Sequence, residues 1–272
     1  MEHPIRMELT VNDLVPFGAE GDKKSFALTL KRPAWQCWKA GQFVMVRPTS
    51  WNSEITWARP FSICRVTSES LVLFFQVVGR GTDLMANLKP GDKVTVWGPL
   101  GTHFAMEDKP TLLLAGGIGI APFAGYMEQH KKPANLSMIF SHRLPSGYYP
   151  IETFAQQIEV ETFFEQSNDD LPKTLTAIRN KMELMAKNNG LVLACGPMPF
   201  LKNIWKNALE LNVPTQLSLE QRMACGIGAC LGCVATTSDQ YPDKEKAGLP
   251  VQTCTKGPIF WANELNLDAG SK

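Results

Sequence analysis

The 272-residue sequence lacks the features of a nucleic-acid-binding protein and of a membrane-spanning one. Its 27 Lys and Arg residues nearly balance 26 Asp and Glu residues, so it has no excess positive charge with which to neutralise phosphates. Its longest apolar stretch, residues 111–127, is interrupted by four glycines and a proline. A membrane span needs about 20 mostly apolar residues in a regular helix. Neither a nucleic-acid partner nor a membrane span is therefore expected.

Signals for export and for acid–base catalysis are also missing from the sequence. Residues 1–4 include an acidic residue and begin no apolar run, so no secretory signal is predicted and a cytoplasmic location is expected. The four histidines are scattered, and no paired carboxylates or Ser-His-Asp arrangement can be recognised. The sequence therefore gives no reason to expect hydrolytic chemistry.

Four of the seven cysteines lie in the last fifth of the chain. Four residues separate Cys225 from Cys230, two separate Cys230 from Cys233, and twenty separate Cys233 from Cys254. Disulfides are not expected, because cytoplasmic thiols are kept reduced. The spacing is that of plant-type 2Fe–2S sites, and the intervening glycines allow the tight loop that such a site needs. The alternative is a structural zinc site, but those usually contain two Cys-x-x-Cys pairs, whereas this sequence has one.

The hydrophobic pattern changes near Pro110. Short apolar or alternating runs with Gly- and Pro-containing turns come before it, which predicts an antiparallel β-barrel or sandwich. After it, apolar strands alternate with helical runs, which predicts a parallel sheet covered by helices. The glycine- and cysteine-rich tail needs no large core of its own. The sequence therefore predicts a β-barrel domain at 1–105, an α/β domain at 106–215 and a small cluster domain at 216–272.

The individual elements can be placed approximately. Strands are predicted in the first domain at residues 25–30, 42–47, 71–78 and 93–97, with Gly79-Arg80-Gly81 as one of the turns. In the second domain, strands are predicted at 111–115, 136–140 and 191–195, and helices at 151–157, 175–187 and 198–211.

Two short segments of the first domain together suggest a flavin site. In Arg59-Pro60-Phe61-Ser62, the planar guanidinium of Arg59 could bind a pyrophosphate, and Ser62 could hydrogen-bond the edge of an isoalloxazine. In Gly81-Thr82, the glycine would allow a phosphate to approach the backbone closely. The alternative is an ordinary barrel on which Arg59 is a solvated surface charge.

A glycine-rich loop in the second domain suggests a dinucleotide site. The segment from Leu112 to Phe123 combines a strand, a glycine turn and the start of a helix, whose first amides can bind phosphate. It differs from the Gly-x-Gly-x-x-Gly fingerprint of Rossmann domains. A tight turn without a ligand is the alternative. The candidate residues are Gly116, Gly117, Gly119, Ala121 and Pro122.

A second segment is expected to face the same crevice, because ligands of open α/β sheets bind beyond the carboxyl ends of the strands. It is Cys195-Gly196-Pro197-Met198. Cys195 is a candidate neighbour of the nicotinamide ring, or else a small buried strand residue. The residues 141–143 (Ser-His-Arg) could meet a 2′-phosphate or lie in solvent, so the sequence leaves both NAD and NADP open.

In their collinear order, these motifs resemble those of the electron-transfer subunit of type B dihydroorotate dehydrogenase, within the ferredoxin–NADP reductase-like superfamily. The resemblance includes Gly98-Pro99-Leu100-Gly101, residues 219–226 and residues 257–260. It implies an FAD held by residues 59–62, by Phe74, Phe75 and Gln76, and by Gly81-Thr82. It also implies NAD as the nucleotide and a separate FMN-containing subunit that oxidises dihydroorotate in pyrimidine biosynthesis, in a heterotetramer.

The predicted cofactors define an electron-transfer function. A nicotinamide exchanges two electrons as hydride, a 2Fe–2S cluster exchanges one, and a flavin can do both. We therefore expect an oxidoreductase subunit that passes electrons between a partner's flavin, the cluster, FAD and NAD(H). Two alternatives stay open: the NAD(P)H-oxidising subunit of a sulfhydrogenase or flavin-based bifurcating complex, and a non-enzymatic iron–sulfur sensor or scaffold.

Overall fold

The structure, a computed structural model, describes residues 5–51, 55–167 and 169–269. The segment 1–4, on which the expectation of no export signal rested, lies outside the described residues. Within the described ranges, no helix is both long enough and apolar enough to span a membrane.

The N-terminal part is a closed antiparallel barrel with the strand order β1-β2-β5-β4-β3-β6. Alternate residues of its strands point inward, and Leu28, Leu30 and Val44 are fully buried there. The predicted barrel is confirmed. Its strands are β1 (Ile5–Ala19), β2 (Asp22–Lys31), β3 (Phe43–Pro48), β4 (Arg59–Val66), β5 (Ser70–Gln76) and β6 (Lys93–Leu100).

A short helix replaces the turn that was predicted at Gly79-Arg80-Gly81. Helix α1 spans Arg80–Met85, so the prediction of a simple turn was wrong at this position. The hydroxyl of Thr82 accepts hydrogen bonds from the backbone N–H groups of Val78 and Gly79, at 2.9 and 3.2 Å, and donates one to the carbonyl of Gly79. Because Thr82 satisfies polar groups that a helix start leaves unpaired, the chain can turn into a helix immediately after β5.

The second part is an α/β unit around a six-stranded sheet with the order β14-β11-β10-β7-β8-β9. Every neighbouring pair is parallel except β11 and β14. The predicted parallel sheet is confirmed. Its strands are β7 (Thr111–Gly116), β8 (Leu136–His142), β9 (Glu159–Phe164), β10 (Leu191–Cys195), β11 (Thr215–Ser218) and β14 (Ile259–Trp261). Its helices are α2 (Ala121–Gln129), α3 (Ile151–Ala155), α4 (Leu171–Lys187) and α5 (Met198–Leu211).

Two details of this unit differ from the sequence-based expectation. Helix α4 begins at Leu171, before the predicted start at residue 175. The edge strand β9 was missed, because its residues are mostly exposed and carry no buried apolar run.

The C-terminal tail is tied to the α/β sheet at both ends. The predicted boundary at residue 216 falls inside β11, and β14 returns to pair with β11. Between them lie an antiparallel pair, β12 (Val234–Thr236) and β13 (Pro250–Gln252), and helix α6 (Thr253–Lys256). The segment 219–258, which contains all four tail cysteines, thus lies between two strands of one sheet.

Candidate functional site

The four tail cysteines are brought together by the loop before β12 and by α6. The thiols of Cys225 and Cys230 lie 3.4 Å apart, and the thiol of Cys254 is in contact with that of Cys233. The loop turns sharply because Gly226 and Gly228 adopt positive φ angles of 72° and 82°. The four thiols therefore form two pairs, which is the arrangement that would offer two thiolates to each iron of a 2Fe–2S cluster.

Backbone N–H groups of the loop point at the thiols. Those of Ile227 and Cys230 donate to the sulfur of Cys225 at 3.5 and 3.4 Å, and that of Gly228 donates to the sulfur of Cys254 at 3.2 Å. Burial raises the pKa of Cys225, but the N–H donors outweigh it and bring the pKa down to about 7. Burial, together with the Cys233 thiol, raises the pKa of Cys254 to about 12. Donors of this kind stabilise sulfur that carries negative charge.

The buried hydroxyl of Thr253 supports the fit of an iron–sulfur group. It lies next to Cys254 in the sequence, is fully buried, and has no hydrogen-bond partner among the described residues. A buried donor without an acceptor is costly, and cluster sulfur would supply an acceptor. The residues described contain no group of three or more His, Cys, Asp or Glu side chains arranged to hold a metal ion, so the fit rests on the thiol pairs and their donors.

Arg59, at the start of β4, meets the start of α1 as the flavin-site hypothesis requires. Its guanidinium donates to the carbonyl of Trp57 at 2.6 Å and lies 5.5 Å from the centre of the Trp51 ring. A Cβ added at Gly81 would come within 2.8 Å of this guanidinium. The structure therefore brings the guanidinium of Arg59 against Gly81 and next to Thr82, both of which are buried, and the Trp51 ring helps to orient this cation.

The other predicted flavin residues contribute in different ways. Ser62 pairs with Phe43 and Pro60 with Met45 across β3 and β4, and the ring of Phe61 packs 5.6 Å from that of Phe75. The side chains of Phe74 and Phe75 are buried within the protein itself, whereas Gln76 is partly exposed. Phe74 and Phe75 can therefore support residues that line a flavin site, but their buried rings cannot contact a ligand directly.

The glycine loop packs directly against the segment that follows β10. A Cβ on Gly119 would overlap the carbonyl of Cys195, and one on Gly116 would lie 2.9 Å from Pro197. Helix α2 begins at Ala121 with Pro122 in its first turn, and α5 begins at Met198 after Gly196 and Pro197. The two segments predicted to share a crevice are thus adjacent at the carboxyl ends of β7 and β10.

Cys195 ends β10 beside Ala115 of β7. Burial raises the pKa of its thiol to about 12, so the side chain is protonated and uncharged at neutral pH. It can contact a nicotinamide ring as a small, polarisable group but does not supply a thiolate.

An apolar cluster joins the flavin segment to the cysteine loop, and no pattern in the sequence predicts it. Met45, fully buried on β3, lies opposite Pro60, and a Cβ on Gly226 would approach it to 2.5 Å. The bridging cluster, as we call it, comprises Phe43, Met45, Ala58, Leu100, Cys233 and Cys254. The candidate iron–sulfur and flavin sites therefore share one water-free contact.

Residues at the carboxyl end of β8 form a separate polar and aromatic group with residues of β9 and Glu165. The ring of His142 stacks between those of Phe140 and Phe164, with centroids 4.9 and 5.1 Å away. Ser141 and Arg143 contact the carboxylate of Glu165, which sequence reasoning missed because β9 was not recognised.

Comparison with known proteins shows the family to which the chain belongs. The family model for the iron–sulfur cluster binding domain of dihydroorotate dehydrogenase B matches residues 220–266. The electron transfer subunit of dihydroorotate dehydrogenase B (NAD(+)) from Caldanaerobacter subterraneus is 32% identical over 226 residues, covering 83% of this chain and 86% of the relative. The corresponding subunit from Bacillus caldolyticus is 31% identical over 253 residues, covering 90% and 94%. The chain belongs to this family.

Solved structures share the fold of this dihydroorotate dehydrogenase B electron transfer family member. A chain of the NADH-dependent reduced ferredoxin–NADP oxidoreductase superposes with a TM-score of 0.78 at 21% identity, covering 96% of this chain and 90% of the other. Ferredoxin–NADP⁺ reductase from Plasmodium falciparum gives 0.63 at 13% identity, covering 78% and 96%. These structures show the shared fold; because its curated relatives are electron transfer subunits, the chain is an oxidoreductase subunit that transfers electrons, and FAD, a 2Fe–2S cluster and NAD are cofactors consistent with this family.

Proposed function

We propose that this protein carries electrons from a flavin-containing catalytic subunit, which oxidises dihydroorotate in pyrimidine biosynthesis, to NAD⁺ through a 2Fe–2S cluster and FAD. Its relatives bear the name of the dihydroorotate dehydrogenase B (NAD(+)) electron transfer subunit. The observation that carries the proposal is the bridging cluster, in which Cys233 and Cys254 pack with Met45 and Ala58, next to Arg59.

The bridging cluster gives the electrons a short path. Met45 is fully buried, and Phe43, Ala58 and Leu100 are at most 4% exposed, so water is excluded between the two candidate sites. Phe43 and Met45 are also the register partners of Ser62 and Pro60 in the flavin segment. One strand, β3, thus separates the cysteine loop from the residues proposed to hold FAD.

The chain's own residues bind and orient the groups that react. FAD would supply the switch between hydride transfer and single-electron transfer. Arg59, held by Trp51 and Trp57, would neutralise its pyrophosphate, and the absence of a side chain at Gly81 lets the guanidinium lie against the start of α1. The four cysteines would hold the cluster through two thiol pairs.

The nucleotide would lie across the carboxyl ends of β7 and β10. The glycine loop enters α2 through a 3₁₀ turn, Gly117–Ile120, and the first backbone N–H groups of this turn would bind a pyrophosphate, because the N–H of Ala121 already donates to Ile118 and Pro122 has none. The protonated thiol of Cys195 places no negative charge beside the nicotinamide. Binding of the pyrophosphate would position the nicotinamide towards the flavin, and the protonated thiol of Cys195 would not react with it.

The surface around the cysteine loop fits the proposed partner. Ile227, Leu231 and Val234 are large apolar residues that are 40–64% exposed and lie within two residues of a tail cysteine in the sequence. Apolar groups exposed together mark protein contacts. We propose that the FMN-containing subunit covers them in a cytoplasmic heterotetramer and delivers electrons to the cluster there.

An anaerobic titration tests the function. Adding NADH to the purified protein should bleach the flavin absorbance and then generate the electron paramagnetic resonance signal of a reduced 2Fe–2S cluster. With the catalytic subunit encoded in the same genome present, dihydroorotate should reduce both groups and then NAD⁺. Bleaching by NADH without any response to dihydroorotate would favour a hydrogenase or bifurcating complex. No bleaching by NADH or NADPH would favour the sensor alternative and refute the proposal.

A further inference from the structure

The carboxylate of Glu165 is held by two neighbouring side chains at the edge of the sheet where the nucleotide is proposed to bind. It follows β9, and its side chain is only 9% exposed. The hydroxyl of Ser141 donates to its Oε1 at 2.7 Å, and Nε of Arg143 lies 3.6 Å from its Oε2. The backbone N–H of Glu165 also donates to the carbonyl of His142 at 2.8 Å. A buried, oriented negative charge thus lies among the donors at the carboxyl end of β8.

The carboxylate of Glu165 and its two partners lie beside the proposed dinucleotide crevice. Ser141 is the register partner of Gly116, the first residue of the glycine loop, and of Phe163 on β9. A dinucleotide with its pyrophosphate on the loop and its nicotinamide near Cys195, on the β10 side, must extend its adenosine the other way, across β8 towards β9. The adenosine ribose would therefore arrive at Ser141, Arg143 and Glu165.

We propose that Glu165 is the residue that makes this protein select NAD(H) over NADP(H). The inference rests on the proposed function and goes further, because it assigns the choice of nucleotide to one side chain. A 2′-phosphate binds through hydroxyl and guanidinium donors. The two nearby groups of this kind, on Ser141 and Arg143, are already in contact with the carboxylate of Glu165. Its own charge opposes a phosphate, and burial limits screening of that charge by salt. The neutral 2′-hydroxyl of NAD(H) meets neither obstacle.

Replacing Glu165 with the isosteric glutamine tests the proposal. E165Q removes the negative charge while keeping the shape of the side chain. The ratio of kcat/KM for NADPH to that for NADH, measured with ferricyanide as acceptor, should rise by roughly tenfold or more, mainly through a lower KM for NADPH. In the E165Q/R143A double variant the gain should fall back, because the released guanidinium is then absent. Glu161→Gln, an exposed position on the same strand, should leave the ratio unchanged.

Direct binding separates this inference from the proposed function. Adenosine 2′-monophosphate should bind E165Q at least several-fold more tightly than the wild type in calorimetry, which needs no electron transfer, and the flavin content and circular dichroism of E165Q should match the wild type. A ratio and an affinity both within twofold of the wild type would overturn the role of Glu165 while leaving the proposed function intact. Absence of flavin reduction by either nucleotide in the wild type would instead refute the proposed function.

Discussion

The indole N–H of Trp97 donates a hydrogen bond of 3.0 Å to the backbone carbonyl of Cys225. Trp97 belongs to β6 of the barrel, and Cys225 is the first cysteine of the tail, 128 positions later in the sequence. Together with the contact between Met45 and Gly226, this bond fixes the cysteine loop on the barrel wall. The distance between the two candidate redox sites is therefore set by the barrel.

The Trp97→Phe variant should loosen the cysteine loop. Phenylalanine keeps an apolar ring but cannot donate, so the carbonyl of Cys225 loses its partner, at a cost of about 1 kcal/mol in unfolding free energy. We expect the visible absorbance of the cluster to be lost several-fold faster in the presence of an iron chelator. Trp205→Phe is the matched control, because Trp205 donates a similar bond, 2.9 Å long, to Ala262 away from the cysteines. Equal chelation rates in the two variants would contradict the anchoring role.

Substituting a single tail cysteine should remove the cluster and spare the flavin. Cys225→Ser and Cys254→Ser each break one thiol pair, so iron and acid-labile sulfide should both fall well below the wild-type content. The flavin should remain, because Arg59 and its neighbours are unchanged. Cys37→Ser, at an exposed position in the barrel domain, is the control and should keep full iron content. Normal iron and sulfide in Cys254→Ser would exclude this cysteine as a ligand.

Local patterns in the sequence were sufficient to predict most of the fold. Alternating apolar residues marked the barrel strands, and the apolar run ending at the glycines marked β7. A strand buried on one face shows alternating apolar residues, and a strand buried on both faces shows a continuous apolar run. The 2Fe–2S spacing was equally local. Strand β9 left no such imprint, since an exposed edge strand needs no apolar face. Helix α1 was missed because a single hydroxyl, that of Thr82, stabilises its start.

Contacts between distant segments could not be predicted in the same way. Met45 looks like any core residue of a barrel, and only the folded chain shows that Gly226 lies against it. Trp97 and Glu165 likewise gain their roles from partners on other elements. A single sequence indicates which residues are buried but not which of them contact each other in the folded chain.

Gly119→Ala should damage the nucleotide site more than the fold. The added methyl group would overlap the carbonyl of Cys195, so the glycine loop and the end of β10 must separate. We expect the KM for NADH to rise by roughly tenfold or more, with reduction of the cluster by dithionite unchanged. Gly147→Ala is the control, because nothing lies within 4 Å of its Cβ position. An unchanged KM in Gly119→Ala would show that nucleotide binding does not depend on this close packing.

Arg59→Lys should weaken FAD binding although it keeps the positive charge. Lysine cannot form the planar, two-point contact with a pyrophosphate, nor stack on the Trp51 ring as a guanidinium does. We expect the dissociation constant of FAD to rise by about tenfold or more, measured by recovery of flavin fluorescence on dilution. Arg32→Lys, an exposed barrel position bonded to the carbonyl of Thr67, should retain the wild-type affinity. A comparable loss of FAD in Arg32→Lys would point to a general effect of arginine replacement.

The buried thiol of Cys64 should make the protein less stable in alkali. Burial raises the pKa of this thiol from 9.0 to about 12. The unfolded chain therefore releases the proton first. The stabilising contribution of the neutral buried thiol is complete below pH 9 and is lost progressively as the pH rises towards 12, at up to about 1.4 kcal/mol per pH unit.

Urea unfolding of the Cys64→Ala variant should show a shallower loss of stability between pH 9 and 10.5 than the wild type, whatever its stability at pH 7. Cys37→Ala, at an exposed cysteine, should follow the wild-type slope. Parallel slopes for Cys64→Ala and the wild type would mean that this thiol ionises as readily in the folded protein as in the unfolded chain.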